Sequence, residues 1–294
     1  MKNFARIAAA GLAAAFFGSA ASATEITFYY PIAVGGPITK IVDGYAAEFN
    51  KAHPDITVKP VYTGSYQDSV VKAMTAAKAG NAPDVAILLS TDMFTLIDND
   101  LIEPIDTLVK SESDQIWIKS FYPAFMENSQ AGGHTWGIPF QRSTIVQYWN
   151  KDAFKAAGLD PDKAPATWEE MVAFGKKLTK RDASGQVSQW GVEIPSSGFP
   201  YWLFQALTTQ NGAILANQDG TKVAYNDAKV VEAAQFFADL STKYEVMPKG
   251  IIDWGTTPKD FFEGKTAIMW TTTGNLTNVR KNAKFAFGVA PMPR

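Results

Sequence analysis

The chain of 294 residues has no cysteine, only two histidines (His53 and His134) and no surplus of positive charge, with 27 Lys and Arg against 29 Asp and Glu. Each shortage removes a class of chemistry. Without Cys there is no disulfide, thiolate zinc site, cysteine nucleophile or thioether lipid anchor. Two His leave little for a His-based metal cage or a Ser-His relay, and a net charge of −2 offers nothing to draw a nucleic-acid backbone. No P-loop, dinucleotide fingerprint or nucleophile elbow is present. Internal repeats and low-complexity segments are also missing, which excludes solenoids and arrays.

What is there suits a large folded core, since 46% of the residues are hydrophobic and 19% charged. The N-terminus carries an address. Lys2 and Arg6 precede an apolar run from Ile7 to Phe17, and Ala21-Ser22-Ala23 supplies the small-x-small pattern of a cleavage site. Residues 1–23 therefore read as a cleaved export signal with Thr24 as the mature N-terminus. The apolar run falls well short of the roughly 20 residues a membrane-spanning helix needs. Loss of Lys2 and Arg6 leaves 25 Lys and Arg against 29 Asp and Glu, a net charge of −4 outside the cytoplasm.

Beyond the leader, strand and helix patterns alternate. Glu25 to Tyr30 has period two, a Pro/Gly loop runs from Pro31 to Pro37, and Ile38, Ile41, Val42, Tyr45, Ala46 and Phe49 follow at helical spacing. A second strand spans 55–61, Ser65 caps a helix to about Ala79, and Val85 to Leu89 reads as an apolar strand. Short connections of this kind predict right-handed crossovers and a mostly parallel sheet. From Gly132 the texture changes, and a second unit follows: a strand at 144–149, helices at 151–157, 167–178, about 200–209 and 227–243, a strand at 266–270, a helical stretch from Asn275 and a strand near 285–289.

In an open α/β sheet a ligand sits outside the carboxyl ends of the strands, so the loops after Tyr30, Val61 and Leu89 should converge. Gly35-Gly36-Pro37 in the first loop opens a helix whose free N–H groups favour an anion or a hydroxyl oxygen, though it reads equally as a tight turn. Ser90 and Asp92 in the third are polar candidates, and equally caps of the short helix that follows.

Seven stretches, in order along the mature chain, resemble the extracellular solute-binding proteins of ABC importers, the group with the maltodextrin- and glycerol-3-phosphate-binding proteins. They are Phe49-Asn-Lys-Ala-His-Pro-Asp-Ile-Thr-Val58, Gly64-Ser-Tyr-Gln-Asp68, Ala79-Gly-Asn-Ala-Pro-Asp-Val85, Trp136-Gly-Ile-Pro-Phe140, Tyr148-Trp-Asn-Lys-Asp-Ala-Phe-Lys-Ala-Ala-Gly-Leu159, Thr167-Trp-Glu-Glu-Met171 and Phe262-Glu-Gly-Lys-Thr-Ala-Ile-Met269. The stretch around Tyr66 leans toward the glycerol-3-phosphate branch. The resemblance implies a two-lobed α/β protein of the type II periplasmic-binding-protein fold, each lobe a mostly parallel sheet flanked by helices, closing on a ligand by hinge motion. By that analogy residues 24–132 plus 265–294 form lobe 1 and 133–264 form lobe 2. Family members continue past the Ala290-Pro-Met-Pro-Arg294 motif, so the expectation is that the C-terminal remainder of lobe 2 is missing.

The same resemblance implies a ligand set. Tyr30 and Tyr66, with Ser90 and Asp92, would serve from lobe 1. Ser90 departs from the glycerol-phosphate branch, which usually has a glutamate there. Ser143 matches a ligand-binding serine, and Arg142 beside it is a planar cation suited to phosphate, carboxylate or a pair of sugar hydroxyls, or an exposed structural arginine. Phe199 and Trp202 parallel an aromatic pair that stacks on ligand, or serve helix packing. Trp254 is a further aromatic candidate, and Thr272, Thr273 and Gly274 lie where the family has a Ser-Ser-Gly ligand loop.

Enzyme readings do not assemble: carboxylate pairs such as Asp92 and Glu193 are to be expected in any chain with 29 acidic residues. The expectation is a monomeric, cofactor-free periplasmic subunit that captures a sugar, polyol or glycerol-phosphate-like solute and hands it to ABC permease subunits. The alternatives are a secreted glycoside hydrolase or phosphodiesterase and, among binding proteins, a carrier of ferric iron held by Tyr29, Tyr30 and Tyr66.

Overall fold

The computed structural model describes residues 23–32, 37–217 and 221–294. The export-signal reading, apart from Ala23 itself, and the Gly35-Gly36 turn lie outside the described residues. The first unit opens with β1 (Thr24–Tyr30), α1 (Ile38–Ala52), β2 (Ile56–Tyr62), α2 (Tyr66–Lys78) and β3 (Val85–Ala86). These strands form a parallel sheet of order β2-β1-β3, with Thr24 opposite Ile56 and Tyr30 opposite Tyr62. α1 lays Val42 and Ala46 against the sheet, as its spacing predicts. α2 is started by a capping box: the Ser65 hydroxyl accepts from Asp68 N while the Asp68 carboxylate accepts from Ser65 N.

β3 is shorter than the apolar run 85–89. Its ladder ends where Ile87 N donates to Tyr29 O, and the chain then turns through a 3-10 turn at Ser90–Asp92 into α3 (Met93–Asp98). Three short helices follow, α4 (Ile105–Leu108), α5 (Glu112–Lys119) and α6 (Pro123–Met126), and then the hairpin β4 (Gln130–Ala131) with β5 (His134–Thr135).

The second unit contains β6 (Ile145–Asn150), α7 (Lys151–Ala156), α8 (Trp168–Leu178), β7 (Lys180–Arg181), β8 (Val187–Glu193), α9 (Pro200–Gln210), α10 (Ala228–Thr242), α11 (Thr257–Phe262), β9 (Thr266–Thr272), α12 (Leu276–Asn282) and β10 (Phe287–Ala290). Its sheet has the order β10-β6-β9-β8-β7. Only the β8–β9 pair is parallel; β6 runs antiparallel to both β9 and β10, and β7 to β8. The expectation of a mostly parallel sheet thus holds for the first unit and gives way to a mixed sheet in the second. The reason is the insertion of β6 between β9 and β10, two strands that share a direction and are joined through α12.

The expected return to the first lobe at residue 265 is also corrected. β9 and β10 pair with β6 and β8, so residues 266–290 complete the second sheet. Every residue of β6 and β9 is buried, because both faces of this sheet are covered. One face, with Ile145, Trp149, Ile268 and Trp270, packs on α7, α8, α9 and α10; the other, with Val146, Tyr148 and Met269, packs on Phe261 and Val279. α8 comes close enough to β8 that a Cβ on Gly191 would lie 2.2 Å from the Gly175 carbonyl oxygen, so the glycine is required there.

Candidate functional site

The carboxyl ends of β2 and β3 carry Tyr66 and the Ser90–Asp92 turn, and these meet the end of the second sheet where β6 begins and β8 and β9 finish. Tyr66, the first residue of α2, reaches across: its hydroxyl donates to Gln141 Oε1 at 2.9 Å, and its ring stands edge-on to Phe199 with centroids 6.3 Å apart. The next residue, Gln67, donates its amide to the Gly198 carbonyl at 3.4 Å. Two successive side chains of one helix start thus touch both the segment before β6 and the segment before α9.

Behind this contact lies an aromatic wall. Phe199 packs edge-on against Trp254 at 5.1 Å, and Trp254 lies 6.2 Å from Trp202 at an interplanar angle of 33°. Phe199 and Trp254 are buried, whereas Trp202 is half-buried. Gly198, at φ +84°, makes the turn that brings Phe199 forward; a Cβ there would meet the Cβ of Trp254 at 2.7 Å.

Arg142 is held by the protein itself. Its Nε and Nη2 donate to the Phe125 carbonyl at 3.2 and 3.0 Å, Nη2 also reaches Ser129 Oγ at 3.2 Å, and Nη1 donates to the Gln141 carbonyl at 3.1 Å. Desolvation holds its pKa below the usual guanidinium value, with Tyr66 opposing. Burial raises the Tyr66 hydroxyl, and Arg142 pulls it back. Asp92 is half-buried and its carboxyl is pushed up by desolvation, against the backbone hydrogen bond at Leu89. It faces Tyr201 of α9, whose hydroxyl is raised by burial and then by the Asp92 charge, while the Thr91 hydroxyl works in the opposite direction.

The Thr272–Gly274 turn sits at the same end of the sheet. Thr272 Oγ1 accepts from Gly274 N at 3.2 Å, and Thr273 Oγ1 accepts from Thr144 N at 3.3 Å. Ser143 is exposed beside it, and Ser90 is half-buried at the start of its turn. Tyr66, Arg142, Phe199, Trp202 and Trp254 therefore converge with Asp92 on the junction between the units. Tyr30 does not: its ring is 2% exposed, packed between Phe28 and Tyr62 with Asp43 of α1 nearby, which leaves no face for a solute. The ferric-iron alternative loses a ligand with it, and among the described residues no group of three His, Cys, Asp or Glu is placed to hold a metal.

Sequence reasoning missed Tyr201 and gave Gln141 no role of its own within the stretch 141–144. Neither type advertises a site; only the position of Gln141 beside Arg142 and of Tyr201 beside Trp202 offered a signal. The structure also has a cavity of about 360 Å³ beside α9, walled by residues such as Tyr201, Leu203, Phe204, Leu207, Phe237 and Trp270. All of its lining comes from the second unit.

Residues 35–294 match the family model described as bacterial extracellular solute-binding protein. The sn-glycerol-3-phosphate-binding periplasmic protein UgpB of Pectobacterium atrosepticum is 32% identical over 294 residues, covering 98% of this chain and 64% of that protein. The chain thus spans just under two thirds of the curated relatives' length. Two solved structures share the fold: the ABC substrate-binding protein Lmo0181 of Listeria monocytogenes in complex with cycloalternan (TM-score 0.78, 24% identity, 92% of this chain and 67% of that one), and UgpB of Mycobacterium tuberculosis in complex with glycerophosphocholine (TM-score 0.77, 20% identity, 92% and 66%). With a paired-unit α/β architecture, a junction lined by aromatic and polar side chains and a family match over most of its length, the chain belongs to the bacterial extracellular solute-binding proteins and has their type II periplasmic-binding-protein fold.

Proposed function

We propose that the chain is the solute-capturing subunit of an ABC importer, exported to the periplasm and delivering a small polar solute to membrane permease subunits. The observation that carries this is the meeting of Tyr66 from one unit with Gln141, Phe199 and Trp202 from the other, at the ends of the two sheets where an α/β protein binds its ligand. Residues 24 to about 132 act as the first lobe and residues from about 133 onward as the second, a division supported by the pairing of β9 and β10 with β6. Sugars, polyols and glycerol phosphates all suit a cleft with aromatic faces and hydroxyl, amide and carboxylate groups at its rim. Lobe closure excludes water from these contacts and strengthens them.

A binding protein turns nothing over, so chromogenic glycosides and phosphodiesters should stay intact with this chain; hydrolysis would favour the secreted-hydrolase alternative. The direct test is mass spectrometry of small molecules released on denaturation, followed by thermal melts with each compound found. A true ligand at a hundredfold excess over Kd stabilises the folded state by about 2.7 kcal/mol. A melt that no released or added small solute shifts would overturn the reading.

A further inference from the structure

We propose that Gln141 and Arg142 make this cleft select a neutral solute that donates hydroxyl hydrogens, and discriminate against phosphate monoesters; this rests on the solute-capture reading above. A tyrosine hydroxyl has one proton to give. Tyr66 gives it to Gln141 Oε1 at 2.9 Å, so the phenol oxygen presents lone pairs alone to anything else in the cleft. A solute that meets Tyr66 must donate, as a sugar or polyol hydroxyl does and a dianionic phosphate oxygen does not.

Arg142 is the cation that acts on Tyr66, and it is the natural grip for a phosphate, because the guanidinium fork matches two phosphate oxygens at once. Here four of the five N–H groups of the fork are engaged, which leaves no pair for a bidentate grip. Nε and Nη2 both close on the Phe125 carbonyl, Nη2 also meets Ser129 Oγ, and Nη1 closes on the Gln141 carbonyl. To turn the fork toward a ligand would strip the Phe125 carbonyl of both these donors and release the backbone of the very residue that orients Tyr66. One N–H of the Gln67 amide is likewise directed to the Gly198 carbonyl. On the first unit's side the charged group is Asp92, beside Tyr201, an acceptor that receives hydroxyl hydrogens and repels a phosphate. Tyr66 and all but one N–H of Arg142 are thus committed within the protein, and Asp92 adds an acceptor, an arrangement that suits a polyhydroxylated neutral molecule. Gln141 is in this account a positioning residue, acting through Tyr66.

The test is calorimetric titration of the purified chain with sn-glycerol 3-phosphate and with maltose, mannobiose and glycerol. The expected result is that one of the neutral probes binds at least about tenfold more tightly than glycerol 3-phosphate. Gln141→Glu, which keeps the acceptor, should retain that neutral probe within about threefold; Gln141→Leu, which frees the Tyr66 proton, should weaken it by about tenfold. Unliganded melting temperatures of the two variants should agree, whereas a merely structural Gln141 would show its loss there. Glycerol 3-phosphate binding more tightly than every neutral probe would overturn the selectivity and leave solute capture standing. Binding of none of the three neutral probes would overturn the selectivity, and solute capture would fall with it only if no solute released on denaturation bound either.

Discussion

β6 and β9 of the second unit are buried on both faces along their whole length, whereas in the first unit Tyr30 is the one buried residue of β1, and β2 has none. Among the described residues, the two hydrophobic clusters of buried residues lie entirely at or beyond Ile145, and 13 of the 21 exposed large hydrophobic side chains lie before residue 136. The second unit is thus a packed platform that fixes the aromatic wall of Phe199, Trp202 and Trp254. The first unit is thinner and contributes by leaning on that platform, through Tyr66 and Leu89, which pack against the larger cluster.

The largest expected effect tests that asymmetry directly. Phe154→Ala, at a fully buried position, should cost about 3–5 kcal/mol in denaturant unfolding, while Phe49→Ala on the exposed face of α1 should cost about 1 kcal/mol or less. Equal losses would erase the contrast between the units.

Next comes a pH effect confined to the second unit. Glu193, 4% exposed at the end of β8, has its carboxyl pushed from 4.5 up to about 7, first by burial and then by the Asp260 charge, with the Thr257 hydroxyl and Lys265 opposing. Between these two values the folded state keeps a proton that the unfolded state has lost. Unfolding free energy should therefore fall as pH rises from 4.5 to about 7, by on the order of 3 kcal/mol, and level off above. Glu193→Gln, neutral at every pH, should flatten that part of the profile; an unchanged slope would place the titration elsewhere.

Trp202→Ala should weaken ligand binding by about 1–3 kcal/mol, because its ring is half-buried while the other two of the wall are buried. The matching loss in the first unit is smaller. Ser65→Ala, which removes one arm of the capping box on α2, should lower stability by about 1 kcal/mol and loosen the placement of Tyr66. Binding that tolerates both changes would move the site away from this junction.

Much of the fold could be read locally. The strand patterns of β1 and β2, the 3.6-residue spacing in α1 and the cap Ser65 each appear where the structure has the corresponding element or cap. The site was legible only in part. Tyr66, Arg142, Phe199, Trp202 and Trp254 were candidates and the structure brings them to one junction, yet nothing local separates the half-buried Trp202 from the buried Trp254. Tyr30 and Tyr66 are both tyrosines at the edge of a strand-to-helix connection, and one is core while the other bridges the units.

The sequence by itself determined the chemistry excluded by missing Cys and scarce His, the alternation of strand and helix, and the family, since these depend on composition and on neighbours within a few turns of chain. The tertiary structure decided the direction of β6, the membership of β9 and β10 in the second sheet, and the partners of Gln141 and Arg142. Those outcomes rest on contacts between segments far apart in the chain, such as Tyr66 with Gln141 and Gln147 with Pro291. Strand periodicity is the same whether a strand runs up or down, and a side chain's free donors are known only once distant groups have taken theirs.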